Sequence, residues 1–151
     1  MKKIMLAATV LICSLAGSAL AQGNPVIHLS VHDHASNGAD GYTNVPACDT
    51  TYSYRYSGGS GNGGDVTFTR RGKVTVVLRL DNDSPHGSRF TLNDVTFKND
   101  TNHELSWVGS APTNGVIHNE NGVVQTASYK VLVNDISATC TVPCDPLIIN
   151  R

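Results

Sequence analysis

The chain has 151 residues with a formal net charge of −1, and 15% of its residues are charged, 40% hydrophobic and 6% aromatic. Near-neutral charge, with only Arg70, Arg71 and Lys73 close together beyond the N-terminus, excludes a basic stripe able to track a phosphate backbone, so no nucleic-acid partner is expected. Apolar alternation with period two recurs along the sequence, and no stretch as long as about ten residues keeps the i, i+3, i+4 spacing of an amphipathic helix, which excludes a helical class.

The first 21 residues read as a cleaved secretory signal peptide. Lys2 and Lys3 form a positive start, Ile4 to Leu15 an apolar run, and Ala19-Leu20-Ala21 a small-x-small cleavage site before Gln22. The apolar run is short of the roughly 20 residues that span a bilayer, and Ile12 ahead of Cys13 does not suit lipid attachment. The expected product is a single periplasmic or extracellular domain over residues 22–151, with no membrane span. Removing Lys2 and Lys3 shifts its balance to nine basic against twelve acidic residues.

Along that mature chain, Val26 to His34 opens as a strand with Ile27, Leu29 and Val31 on one face and His28, Ser30, His32 and His34 on the other. Tyr52, Tyr54 and Tyr56 also share a face. After the glycine-rich segment Ser57 to Asp65, a hairpin is expected from Val66 to Thr69, a turn at Arg70-Arg71-Gly72, and Lys73 to Asp81 with Val74, Val76, Leu78 and Leu80 inward. In Arg89 to Lys98 the apolar set changes parity, from Phe90 and Leu92 to Val95 and Phe97. An extra residue near Asn93-Asp94, a β-bulge, would return both pairs to the core.

Leu105 and Trp107 face inward in the next strand. Val116 to His118 and Val123 to Ala127 flank Asn119-Glu120-Asn121-Gly122 and resemble a second hairpin. Tyr129, Val131 and Val133 line one face of Ser128 to Asn134, and Leu147 to Ile149 forms a last strand after Pro146. Seven to nine short strands punctuated by Gly, Asn, Asp and Pro predict an all-β fold, an antiparallel two-sheet β-sandwich. A closed barrel is the alternative topology.

The strand spacing puts His32 and His34 roughly 7 Å apart on one face. With His28 they are the candidate ligands for copper or zinc, and Asp33, His86, His103 or His118 could complete a shell. The plainer reading is a polar outer row on a strand. Type-1 copper is disfavoured because no His or Met follows His118 to accompany Cys140 or Cys144. Asp81 to Gly87 fails as an EF-hand because Leu92 stands where its bidentate Glu belongs. Gly58 to Gly64 lacks the Lys-Ser or Lys-Thr of a phosphate loop. No nucleophile elbow is present, and Ser84 near His86 does not make a dyad, so no enzyme is expected. The tyrosines and Trp107 suit core packing better than an aromatic ligand platform.

Loss of the signal removes Cys13 and leaves Cys48, Cys140 and Cys144 in an oxidising compartment. Cys140 with Cys144 is the favoured disulfide if the chain turns between them, and Cys48 is the rival partner for either. One thiol remains over in each case.

Tyr129-Lys-Val-Leu-Val-Asn134 followed by Asp145-Pro146-Leu-Ile-Ile-Asn150 resembles the closing strands of small bacterial proteins of the DP-EP family. The resemblance covers about the last quarter of the mature chain, and the Glu-Pro half of the family's name has no counterpart here. It implies a cupredoxin-like or immunoglobulin-like sandwich of unassigned activity and transfers no catalytic residue. The function expected is an exported, non-enzymatic binding or structural domain for an unidentified ligand or protein. A periplasmic copper- or zinc-binding protein built on the histidines is the alternative. A second alternative, a subunit of a surface assembly, would use exposed sheet edges and the terminal strand.

Overall fold

A computed structural model describes residues 23–61, 63–69, 71–81 and 89–145, together with the backbone of 147–150. The expected signal segment, Arg70, Ser84, His86 and Pro146 lie outside the described residues. The alternating segments form eleven strands among those described: β1 (Val26–His32), β2 (Thr43–Ala47), β3 (Thr50–Gly58), β4 (Val66–Thr67), β5 (Val74–Asp81), β6 (Phe90–Lys98), β7 (Leu105–Ala111), β8 (Asn114–Asn119), β9 (Gln125–Asp135), β10 (Cys140–Cys144) and β11 (Leu147–Asn150). No helix among the described residues is long and apolar enough to cross a membrane.

The fold is the expected two-sheet sandwich. One sheet runs β2-β3-β1-β5-β8-β7; in the other, β9 pairs with β6 and with both β10 and β11, and β4 lies beyond β11. Pairing is antiparallel except between β1 and β5 and between β4 and β11. The period-two pattern dictates which side is inside: Ile27, Leu29, Val76, Leu78 and Ile117 from the first sheet meet Ala127, Tyr129, Val131, Val133 and Val142 from the second, all buried. Buried tyrosine hydroxyls need acceptors, and they find them across the core. Tyr56 donates to the Cys144 carbonyl (3.1 Å) and Tyr129 to the Gly64 carbonyl (2.9 Å).

The parity change in β6 is resolved by a bulge: the register against β9 shifts between Leu92 and Asp94, so Leu92 faces Val133 and Val95 faces Val131. The Asp94 carboxylate accepts from the Val95 amide at 2.8 Å and fixes the kink.

Two expected hairpins are inter-sheet crossings instead. β4 and β5 belong to different sheets, as do β8 and β9. Turn residues after a strand signal reversal of the chain, and a chain can reverse within a sheet or over its end. Here both segments cross the same end of the sandwich, joined by the Gly72 amide donating to the Asn121 carbonyl at 3.2 Å. Among the described residues, consecutive strands pair as hairpins at β2 with β3, β7 with β8 and β9 with β10.

The favoured Cys140 to Cys144 disulfide is corrected by the structure, which bonds Cys48 to Cys140 (Cα to Cα 6.0 Å) and leaves Cys144 a buried free thiol. Both C-terminal cysteines lie in β10, where four residues of extended chain separate their Cα atoms by about 13 Å, too far to bridge. Strand pairing explains why no turn occurs: Cys144 faces Val131 and Leu147 faces Ser128 in one unbroken register, so β10 and β11 are one line against β9. The disulfide joins the residue directly after β2 to the first residue of β10, and β2 and β10 are edge strands of opposite sheets. Each carries a proline, Pro46 and Pro143, tolerated where an amide need not pair. On the other side of the sandwich the seam is held by the Leu92 amide donating to the Pro112 carbonyl at 2.6 Å.

Trp107 lies flat over Gly115, where an added Cβ would fall within the indole ring. Gly115→Ala should therefore displace the ring and destabilise the fold by roughly 1–3 kcal/mol, as overpacking does. Trp107 is the chain's single tryptophan, so emission followed through a urea titration reads both effects. An unchanged midpoint and emission maximum would contradict the stacking.

Candidate functional site

The outer face of the first sheet and the segment between β1 and β2 gather the polar and aromatic side chains. His32, at the end of β1, stacks on His34 (ring centroids 5.2 Å, planes 10° apart) and on Tyr42 (4.3 Å, 20°). On β3 the alternation that turns Tyr54 and Tyr56 inward turns Arg55 outward, where its guanidinium lies 4.7 Å from the Tyr42 ring centroid. The Tyr42 hydroxyl donates to Ser30 Oγ at 2.9 Å, and Arg55 Nη1 donates to the Asp40 carbonyl at 3.0 Å. His34, His32, Tyr42 and Arg55 thus form one layered stack that restricts the guanidinium.

Of the three candidate metal ligands, His32 and His34 are brought together and His28 is not. His28 sits about 13 Å back along β1 from His32, with Nδ1 2.9 Å from Asp81 Oδ1. No group of three or more His, Cys, Asp and Glu side chains suited to a metal ion occurs among the described residues. His118 meets Thr75 Oγ1 at 3.5 Å on β5, and exposed His103 occupies a left-handed turn position (φ 53°).

Behind the stack lies an ionic network at the end of the core. Asp135, fully buried at the end of β9, accepts from Arg89 Nε (2.9 Å) and Nη2 (2.6 Å), and from the Tyr52 hydroxyl (3.1 Å). The Ser137 amide (3.0 Å) and the Ala138 amide (3.3 Å) also donate to it. Arg89 Nη1 donates in turn to Asp33, whose other oxygen is 3.1 Å from His34 Nδ1. The Arg89 hydrogen bonds, more than any other contact, hold the Asp135 carboxyl below its ordinary range. Asp33 is held low chiefly by its hydrogen bond to His34. Burial, then the hydrogen bond to Asp135, raises the Tyr52 hydroxyl.

Beside Arg55 a cleft of about 350 Å³ opens between Gly41, Thr43, Tyr54, Arg55, Tyr56, Gly63 and Asp145. The Asp145 amide donates to the Tyr54 hydroxyl at 3.3 Å, and Lys130 Nζ lies 3.6 Å from the Asp145 carboxylate. Cys144 sits next to this cleft in sequence but is buried, and burial followed by the Asp145 charge pushes its thiol well above the usual range, so it is not a nucleophile at neutral pH.

The sequence readings did not single out Tyr42, Arg55, Arg89 or Asp135, and they named Asp33 only as a possible addition to a histidine metal shell. Tyr42 lies outside every expected strand, and the others carry no motif because their partners are far away along the chain. One signal was available: a lone arginine between Tyr54 and Tyr56 must project from the opposite face of β3. No protein-family model matches the chain, and no curated protein matches it.

Proposed function

We propose that this chain is an exported, non-enzymatic binding module whose ligand site is the cleft beside Arg55. Export is supported by the leader pattern ahead of Gln22 and by the Cys48 to Cys140 disulfide, which belongs to an oxidising compartment. One observation carries the binding reading. Arg55 is exposed, pinned between Tyr42 and the Asp40 carbonyl, and has no carboxylate within ion-pair distance among the described residues. A guanidinium held in one orientation keeps its remaining N–H fork ready for an oxyanion, and little freedom is lost on binding. The cleft otherwise offers hydroxyls and a carboxylate already faced by Lys130, a set suited to holding a ligand rather than to transferring protons or acyl groups.

Amide chemical-shift mapping of the mature 15N-labelled chain tests this. Across a panel of small anions, neutral sugars and divalent cations, perturbations are expected to centre on Gly41, Thr43, Tyr54 and Arg55. If no compound perturbs the cleft, or if binding maps elsewhere, the reading fails. Intact mass of protein recovered from a Gram-negative host's periplasm should correspond to a chain beginning at Gln22, and retention of the leader would refute export.

A further inference from the structure

We infer that the ligand of this cleft is a sugar acid, a hydroxylated ring bearing one carboxylate, such as one uronate unit of an acidic polysaccharide. This rests on the binding reading above and deepens it. The charges facing the cleft decide the ligand's own charge. Asp145 lies 3.6 Å from Lys130, so that pair is close to neutral, whereas Arg55 has only a ring face and a backbone carbonyl against it. The cleft therefore carries about one uncompensated positive charge and is complementary to a monoanion, not to a zwitterion or a cation.

Geometry favours a carboxylate, because the guanidinium fork pairs two parallel N–H groups with two coplanar oxygens. What surrounds Arg55 decides the rest of the ligand. The Asp145 side chain is 60% exposed and has acceptor capacity left beyond its long contact with Lys130. The Tyr54 hydroxyl accepts from the Asp145 amide and so retains a proton to give. Thr43 adds a residue with a hydroxyl to the lining. Polar groups on either side of the cation, with the Tyr54 and Tyr56 rings in the same lining, match a hydroxylated ring, which offers both hydroxyls and C–H faces. At about 350 Å³ the cleft is at the small end of ligand sites, the size for one ring of a longer chain running on into solvent.

The test uses trigalacturonate, maltotriose, sodium acetate and inorganic phosphate as probes of the mature protein, read by chemical-shift titration and calorimetry at low salt. Trigalacturonate is expected to saturate the cleft resonances, and neutral maltotriose to leave them unmoved. Acetate and phosphate should bind at least tenfold more weakly than trigalacturonate. Arg55→Gln is expected to weaken trigalacturonate binding at least tenfold. Arg55→Lys should recover only part of this, because the charge returns without the fork. Tyr42→Phe keeps the ring under the guanidinium and should bind nearly as the parent does, while Tyr42→Ala releases Arg55 and should bind several-fold more weakly. Circular dichroism and the urea midpoint establish that each variant is folded. Equal binding of acetate or phosphate at the cleft would overturn the sugar-acid inference and leave the binding reading intact, as would equal binding of maltotriose. Silence of the cleft toward all four probes would overturn the inference, and silence toward the wider panel as well would remove the binding reading with it.

Discussion

Replacing Asp135 with alanine is expected to destabilise the protein by roughly 3–5 kcal/mol, the range for removing one partner of a buried ion pair. The carboxylate is fully buried and serves two Arg89 nitrogens, the Tyr52 hydroxyl and the Ser137 and Ala138 amides. Its loss removes a shared partner from all of them at once and leaves Arg89 only its contact with Asp33. Tyr52 belongs to β3 in one sheet and Asp135 to β9 in the other, so the network also fastens the sheets at this end. Domains of this size have about 5–15 kcal/mol of stability in total, so a urea titration of Asp135→Ala should show a midpoint shift large enough to read directly. Asp33→Ala makes the contrast. Asp33 is 43% exposed, and its contact with Arg89 is a surface pair expected to contribute at most about 1 kcal/mol. Equal losses in the two variants would contradict this division.

The same carboxylate sets the acid limit. Because Arg89 holds the folded Asp135 carboxyl below its unfolded value, its contribution is fully present above the unfolded pKa of about 3.9 and is lost as pH falls through the folded value. Stability of the parent protein should therefore decline below about pH 4, and Asp135→Asn should start lower and decline less steeply over that window. Parallel pH profiles for the two would show that some other carboxylate governs acid unfolding.

How far the sequence could be read depended on whether the deciding interaction was local. Faces were legible because alternation is a property of neighbours, as Ile27, Leu29 and Val31 show on β1 and Tyr129, Val131 and Val133 on β9. The bulge at Leu92 and Asp94 was legible for the same reason, since two apolar pairs of opposite parity in one strand leave few other solutions. Partner choice was not legible. Asn119-Glu120-Asn121-Gly122 has the composition of a hairpin turn, yet the chain crosses to the other sheet there, and the hydrogen bond from Gly72 that accompanies the crossing comes from a separate segment. The candidate site has the same character. Arg55 stacks on Tyr42 from a neighbouring segment, and Arg89 meets Asp33 and Asp135 from opposite ends of the chain. The histidine row on β1 was visible, but alternation alone could not show that His32 would stack with Tyr42 while His28 turned to Asp81.

Removing the Cys48 to Cys140 disulfide is expected to lower stability by about 4 kcal/mol, because the bond closes a loop of 92 residues in the unfolded chain. Reduction of the parent and the Cys48→Ala variant should agree in direction, and the denaturant slope should rise in both as the unfolded state gains surface. The pairing can be read without the energy. Cys140 and Cys144 fall together in the tryptic peptide 131–151, and Cys48 falls in a peptide ending at Arg55. A non-reduced digest of the mature protein should join these two peptides, with alkylation in denaturant marking Cys144 alone. A label on Cys48 instead would return the C-terminal pair to consideration. The bond ties only one side of the sandwich, so its loss should not be felt evenly. Cys48 directly follows β2, whose first residue, Thr43, borders the cleft. β9, by contrast, is flanked by strands along its length. Amide exchange in the reduced protein should therefore quicken more at Thr43 to Ala47 than at Tyr129 to Val133, and the cleft should lose affinity before the fold is lost.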